Sequence, residues 1–436
     1  QIADLLSMYF SIKPQQPFEL NHIKLGEPAQ TNINSQGLMI SGSWETVDPT
    51  LWLAAYREFS DTANQTQSTT KPNIDVSFKS VQLPQWPAEN ISIKGDYTEN
   101  AYFIDFDSSL GKGSVQIPDN NNLPINIDMK TLIVKKGGAN KNATAVQMDP
   151  LEIRPFTFSS NNLIFNEFKF SDVAVNTSRF EHGLSFDEIK LAAQDLTVTG
   201  KGTWRRDPPI TKSLFDFQLN SIDVEDSLVD LGFKSGLRKG EANASATIGW
   251  PGAPHQFDIS KLSGNSSFEI TDGSVSEIDP GNVGRLLALL NLGALTRRLS
   301  LDFKDVTNKG FSFDSIKGKL NLSEGGRLQT DKISIKASAA DIKINGETNL
   351  IDQTYNQNIT VTPAVTGTLT AAGAIVGGPV GAAAGLIVDR VGSAVGLNKV
   401  TNVEYKMTGT WQEPVIKKIS KKKNNSAVNK GQRSAP

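Results

Sequence analysis

The strongest constraint on this chain is a strand pattern that recurs almost from end to end. Apolar side chains stand two apart, with polar residues between, at Ile74-Val76-Phe78, Ile125-Ile127-Met129, Phe215-Phe217-Leu219, Phe311-Phe313, Ile333-Ile335 and Ile342-Ile344. In a β-strand alternate side chains point to opposite faces, so each segment has one apolar and one polar face. Few amphipathic helices are available to cover so much apolar sheet. Some other cover must lie against that face, and its identity is the functional question.

At 436 residues the chain is roughly two to three times the length of a typical domain, a rule that an elongated repeat escapes. Hydrophobic residues make up 38%, low for a globular chain, and the 36 glycines and 20 prolines are spread along it as turn punctuation. The expectation is an extended β protein with a thin core. At roughly ten residues per strand and turn it holds about 30 strands, which at ~4.8 Å spacing span more than ~100 Å.

The net charge of −2 is too near neutral to imply nucleic acid as a partner. The basic residues are nevertheless concentrated: Lys417 to Pro436 carries seven Lys or Arg and no acid. That tail reads as a solvated, disordered end, with attraction to an anionic membrane as the sharper alternative. The absence of cysteine excludes disulfides and thiolate metal sites, and is compatible with an oxidising compartment such as the periplasm. The opening Gln1-Ile2-Ala3 reads as an internal start, so any targeting segment or membrane anchor is expected upstream.

Asp48-Pro49 reads as the N-cap and first position of a helix over residues 49–59, and Asp61 to Pro72 as a polar linker. Strands return from Asn73 to Val134, and again after a loop over Gly137 to Gln147. A glycine shortly before a tryptophan closes strands at Trp44, Trp204, Trp250 and Trp411, a degenerate repeat spaced too irregularly for fixed coils. A second helix is expected over residues 281–299, where Val283, Leu286, Leu287 and Leu290 form one stripe. From Gln353 to Val388 no residue is charged, the later part is rich in Ala and Gly, and Gly377-Gly378-Pro379 interrupts it. Two short helices fit this stretch better than one spanning helix. They sit either at a membrane interface, through Leu369, Ile375, Val376, Leu386 and Ile387, or as a cap on the sheet.

Catalytic constellations are almost absent. His22, His182 and His255 are isolated, with no metal-ligand spacing. There is no Gly-x-Ser-x-Gly elbow and no phosphate loop, and Gly200/Gly202 lacks the third glycine that would open a helix. Asp302 and Asp305 read as solvated acids rather than a catalytic pair. No cofactor, metal or catalytic residue is expected. What remains is a surface. Hydrating a phospholipid acyl chain costs on the order of 10 kcal/mol, from ~0.8 kcal/mol per methylene, and a sheet with its apolar face inward offers such a chain a dry path.

The C-terminal half resembles the AsmA-like proteins of Gram-negative envelopes, specifically their YhdP branch. The resemblance is carried by Gly284-Arg285-Leu286-Leu287-Ala288-Leu289-Leu290, by Arg298-Leu299-Ser300-Leu301-Asp302-Phe303 and by Lys309-Gly310-Phe311-Ser312-Phe313-Asp314. Val361-Thr362-Pro363 and the closing Tyr405-Lys406-Met407-Thr408-Gly409-Thr410-Trp411 with Pro414 are similar too. Upstream, Asp48 to Trp52 and Leu83-Pro84-Gln85-Trp86-Pro87 match more weakly, and Lys421-Lys422-Lys423 departs from the family's ending.

The resemblance implies a mainly β protein: an elongated, twisted, taco-shaped antiparallel β-sheet groove with a few short helices near the C-terminus. It divides the chain into a β-groove over residues 1–362, a helical membrane-proximal segment over 363–398, a closing strand over 399–416 and a basic tail over 417–436. It further implies non-enzymatic phospholipid transport between inner and outer membranes, with the inner membrane reached by an upstream anchor and the outer membrane at the C-terminal end. The groove would be lined by Ile74, Val76, Phe78, Ile125, Ile127, Phe215, Phe217, Phe311, Phe313, Ile333, Ile335, Ile342 and Ile344. Alternation alone leaves a second reading open: a β-scaffold or adhesin whose apolar faces close on each other and carry no lipid.

Overall fold

The computed structural model describes residues 6–11, 19–26, 38–47, 71–81, 87–134, 148–166, 168–230, 237–275, 311–338, 340–363 and 402–419. Within them the chain is mainly strand. Twenty-four strands form one large mixed sheet that is not closed into a barrel. The chain divides into two compact units, 1–235 with 239–268, and 236–238 with 269–436.

In the first unit β1 (Leu6–Ser11), β2 (Glu19–Leu25), β3 (Met39–Val47), β4 (Asn73–Val81), β5 (Ala88–Thr98), β6 (Ala101–Ser108), β7 (Gly111–Pro118) and β8 (Ile125–Val134) each bond to the next. β9 (Phe156–Ser160) and β10 (Leu163–Phe165) lie end to end along β8. β11 (Phe168–Phe170) and β12 (Asp172–Phe180) return along β10 and β9. The ladder continues through β13 (Gly183–Ala192), β14 (Leu196–Asp207) and β15 (Ile210–Ser221) to β17 (Glu241–Pro251). Helix α1 (Val224–Asp230) and β16 (Leu237–Arg238) lie between β15 and β17 in sequence. Asp223 caps α1, its Oδ1 accepting from the Glu225 and Asp226 N–H groups at 2.9 and 3.2 Å. β18 (Ser263–Val275) begins in this unit and ends in the second.

The second unit is an antiparallel meander of β19 (Phe311–Ser323), β20 (Arg327–Lys336), β21 (Ala340–Asn349), β22 (Thr354–Pro363), β23 (Val403–Thr410) and β24 (Pro414–Lys418). Its turns follow from composition. Gly325 and Gly326 hold φ of +81° and +69° between β19 and β20, a left-handed pair that glycine adopts without strain. In the first unit, Glu99 and Asn100 supply two positive φ values for the two-residue β5–β6 turn, whose twist matches the flanking strands.

The sheet is mixed rather than antiparallel throughout, a correction to the sequence expectation. β2–β3, β3–β4, β8–β9 and β8–β10 pair in parallel. Parallel neighbours need a crossover of a dozen or more residues, and the connections 26–38, 48–72 and 135–155 supply it. Residues 399–416, read as one closing strand, take in β23 and the first part of β24, which pair as a hairpin. The expected helices over 49–59 and 281–299 lie outside the described residues, as do the segment after Pro363 to residue 398 and the tail beyond Ile419.

Candidate functional site

Cross-strand register decides whether scattered alternating segments share a face. In the first unit they do. Ile40, Ile74, Gly95, Ile104, Val115 and Ile127 are successive partners across β3 to β8. The same row continues as Phe158, Val175, Ile189, Gly200, Phe217 and Ala246 across β9, β12 to β15 and β17. A second row two residues along runs Val76–Ile93–Phe106–Gly113–Met129. The expected lining residues Ile74, Val76, Ile127 and Phe217 therefore stand in two adjacent rows, with Phe78, Ile125 and Phe215 one step along their strands on the same side.

The long row of this apolar face is open, whereas residues flanking it on the same side, among them Val76, Met129, Val173, Leu184 and Leu196, are buried. Every residue of the long row except Gly95 is half-buried. On a single sheet, neighbours ~4.8 Å apart shield each other's flanks and leave the tips wet; a second packed layer would bury the tips as well. An aromatic cluster sits at the row's β13–β17 end. Phe215 stacks on Phe217 at 5.7 Å and on Trp250 at 5.4 Å, with Phe186 tilted against it at 5.2 Å. Phe215 and Phe217 lie over glycine partners on β14, Gly202 and Gly200: a Cβ on Gly202 would fall 2.2 Å from the Phe215 ring.

In the second unit the apolar rows are buried. Ile316, Ile335, Ile342 and Val361 form one row, and Ile333, Ile344, Ile359 and Tyr405 the next. Those isoleucines and Val361 are 3% exposed or less. Phe313, equally buried, packs on Gly273 of β18. The Phe311 side chain lies outside the described part, as do Leu369, Ile375, Val376, Leu386 and Ile387.

Sequence reading missed Ile104 and Phe106, Phe156 and Phe158, Val173 and Val175, and Ile189 and Leu191. Each is a period-two pair of the same kind, shortened by a neighbouring turn or bulge. Two residues of β13 are skipped between Phe186 and Ile189, which shifts the register against β14.

The opposite face is polar, with cross-strand pairs along it. Ser159 donates to Asp128 at 2.8 Å, Asn176 to Glu188 at 2.7 Å and Thr247 to Asp216 at 2.6 Å, and Lys112 pairs with Asp107 at 2.6 Å. A cavity of about 480 Å³ lined by Glu188, Lys190, Asp216 and Thr247 spans these strands, but its acids are taken up in such pairs. His22 is a core residue, buried and bonded through Nε2 to Ser41 Oγ at 2.8 Å, with its pKa lowered by burial and then by the Lys24 charge. His182 is exposed beside Glu181. Among the described residues no cluster of acids and histidines has the makings of a metal site, and no helix is long and apolar enough to cross a membrane.

Fold and surface together define a two-faced β-sheet protein, apolar on one face and polar on the other. The chain belongs to the YhdP protein family, whose family model matches residues 1–416. It is 28% identical over 222 residues to the intermembrane phospholipid transporter YhdP of Escherichia coli (strain K12), a match covering 51% of this chain and 17% of that protein. No solved structure matches the chain.

Proposed function

We propose that this chain is a section of a non-enzymatic phospholipid conduit, in which acyl chains lie along the apolar face while the polar face meets water. The carrying observation is the long row from Ile40 to Ala246, continuous through the hydrogen-bond register and open at its tips. An acyl chain laid on it recovers part of the ~0.8 kcal/mol per methylene that water exacts. Similarity to an intermembrane phospholipid transporter supports phospholipid as the cargo in this reading. In this reading the sheet curls into an elongated, taco-shaped groove in the periplasm, anchored upstream in the inner membrane. Residues 363–398 then meet the outer membrane through Leu369, Ile375, Val376, Leu386 and Ile387.

Photo-crosslinkers test it. Placed at Ile74, Ile127 and Phe217 in cells they should capture phospholipid, and at Asp75, Lys94 and Gln218 on the polar face they should not. Equal labelling of both sets sinks the conduit. Deleting residues 369–388 should leave the sheet folded and abolish lipid hand-off; transport that survives the deletion leaves that segment only a cap.

The burial of Ile333, Ile344 and Ile359 favours a second reading for the second unit, as closed scaffold without cargo. Lipid captured at Ile127 but not at Ile344 would divide the chain that way.

A further inference from the structure

At one end of the apolar rows four side chains from separate segments converge. Tyr97 of β5 and Tyr102 of β6 are register partners. Each stands two residues beyond a member of the long row, Gly95 and Ile104, and so on the same side of the sheet. Their rings meet edge to face at 5.1 Å. Asp119, just past the end of β7, accepts a short hydrogen bond from the Tyr97 hydroxyl. The Lys71 ammonium completes the group, 5.4 and 5.9 Å from the two ring centroids and 3.3 Å from Asp119 Oδ1.

Two aromatic rings and a carboxylate around a primary ammonium are the chemistry that recognises an ammonium ligand. Here the chain's own lysine stands in that position. The carboxylate is kept charged: its pKa is lowered first by the Tyr97 bond and then by Lys71. The Arg154 guanidinium is not a competitor, because it is committed to the Pro118, Asn120 and Leu123 carbonyls and to Asn121 Oδ1. Lys71 and Asp119 are both substantially exposed, and exposed ion pairs exchange partners at little cost.

We propose that Tyr97, Tyr102 and Asp119 form a headgroup site at the end of the apolar face, taking the primary ammonium of an ethanolamine-type phospholipid. This rests on the conduit reading above. An acyl chain lying across Gly95 and Ile104 leaves its polar end at this rung. The entering ammonium replaces that of Lys71, and Lys71 turns to the adjoining phosphate. One internal ion pair thus becomes two, Asp119 with ammonium and Lys71 with phosphate, and the net charge is unchanged. A glycerol headgroup offers the phosphate alone and leaves Lys71 in the cage.

The test uses the full chain, incubated with vesicles of equal ethanolamine- and glycerol-headgroup phospholipids bearing identical acyl chains, with bound lipid read by mass spectrometry. The ethanolamine lipid should be enriched about two- to fivefold, the size of one exposed cation–π contact. Asp119→Asn, which keeps the shape of the turn, should return the ratio to that of the vesicles without lowering total lipid. Tyr97→Phe, which keeps the ring and loses the bond to Asp119, should lie between. Millimolar phosphoethanolamine should leave the enrichment intact; if it competes, the cage serves a soluble amine and the lipid assignment falls. Lipid bound without preference, or a preference unchanged in Asp119→Asn, overturns the site and leaves the conduit standing. Absence of any bound lipid overturns both.

Discussion

Ile127 and Ile344 each sit in an apolar row but differ in burial, and truncating each to alanine measures that difference. Ile344 is 1% exposed and flanked by Ile333 and Ile359 in the same row. Its truncation removes buried methylenes and leaves a cavity that its neighbours fill only in part, a loss of about 2–5 kcal/mol. Ile127 is half-buried, with Val115 and Phe158 shielding its flanks. Full burial of such a side chain contributes about 1.5–3 kcal/mol. Half of that, reduced by what alanine retains, comes to roughly 1 kcal/mol, and an open tip leaves no enclosed cavity. The two variants should therefore differ by at least about 1 kcal/mol by this reckoning. Urea unfolding of the whole chain resolves it, with Trp204 and Trp250 reporting on the first unit and Trp411 on the second. Lipid added before unfolding should narrow the gap by stabilising the first unit only. Equal losses at both sites would mean that Ile127 is enclosed in solution and the long row is not open.

Gly202→Val drives a side chain into the Phe215 ring and the Leu214 carbonyl, 2.2 and 2.6 Å from the new Cβ, and should destabilise the chain by about 1–3 kcal/mol, read as a lower urea midpoint. Arg154→Ala removes the donors that hold the Pro118–Leu123 turn; a loss of about 1–2 kcal/mol with faster proteolytic nicking between residues 119 and 123 is expected. Burial lowers the His22 pKa, so the unfolded chain takes up a proton that the folded chain resists. Stability from this residue is full above pH ~6.5 and falls as the pH drops through that value toward the folded pKa. Urea midpoints at pH 7.5 and 5.5 should differ less in His22→Asn than in the unaltered chain, and an unchanged difference refutes the assignment.

The alternation of β4, β8, β15, β20 and β21 was legible because apolar residues two apart need only local sequence. Whether those strands share a face was not legible, because register depends on bulges such as the skip between Phe186 and Ile189. Thr330 and Ile333 are both buried although three apart, with a register shift between them. Parallel pairing was missed for a different reason. A crossover such as 48–72 reads in sequence as a short helix and a polar linker, and strand direction leaves no compositional trace. Helix α1 is too short for periodicity, yet Asp223 followed by Glu225 and Asp226 is a capping signal that was available. The cage of Tyr97, Tyr102, Asp119 and Lys71 had no signal at all, since spatial proximity alone unites its members.

Most strands here bond to those next to them in sequence, which makes the ladder a ruler. Duplicating one hairpin widens a sheet by about 10 Å, two strand spacings, and returns the chain to the same edge, in the same direction, with every downstream side chain facing as before. Duplicating a single strand with a tight turn reverses everything after it. The parallel steps at β2–β3–β4 and β8–β9 are the exceptions, since a crossover carries the chain back before the next strand begins. At these junctions an odd number of strands is gained or lost without inverting the strands downstream. Length in such a protein is adjustable by pairs almost anywhere, and by ones only where a crossover already exists.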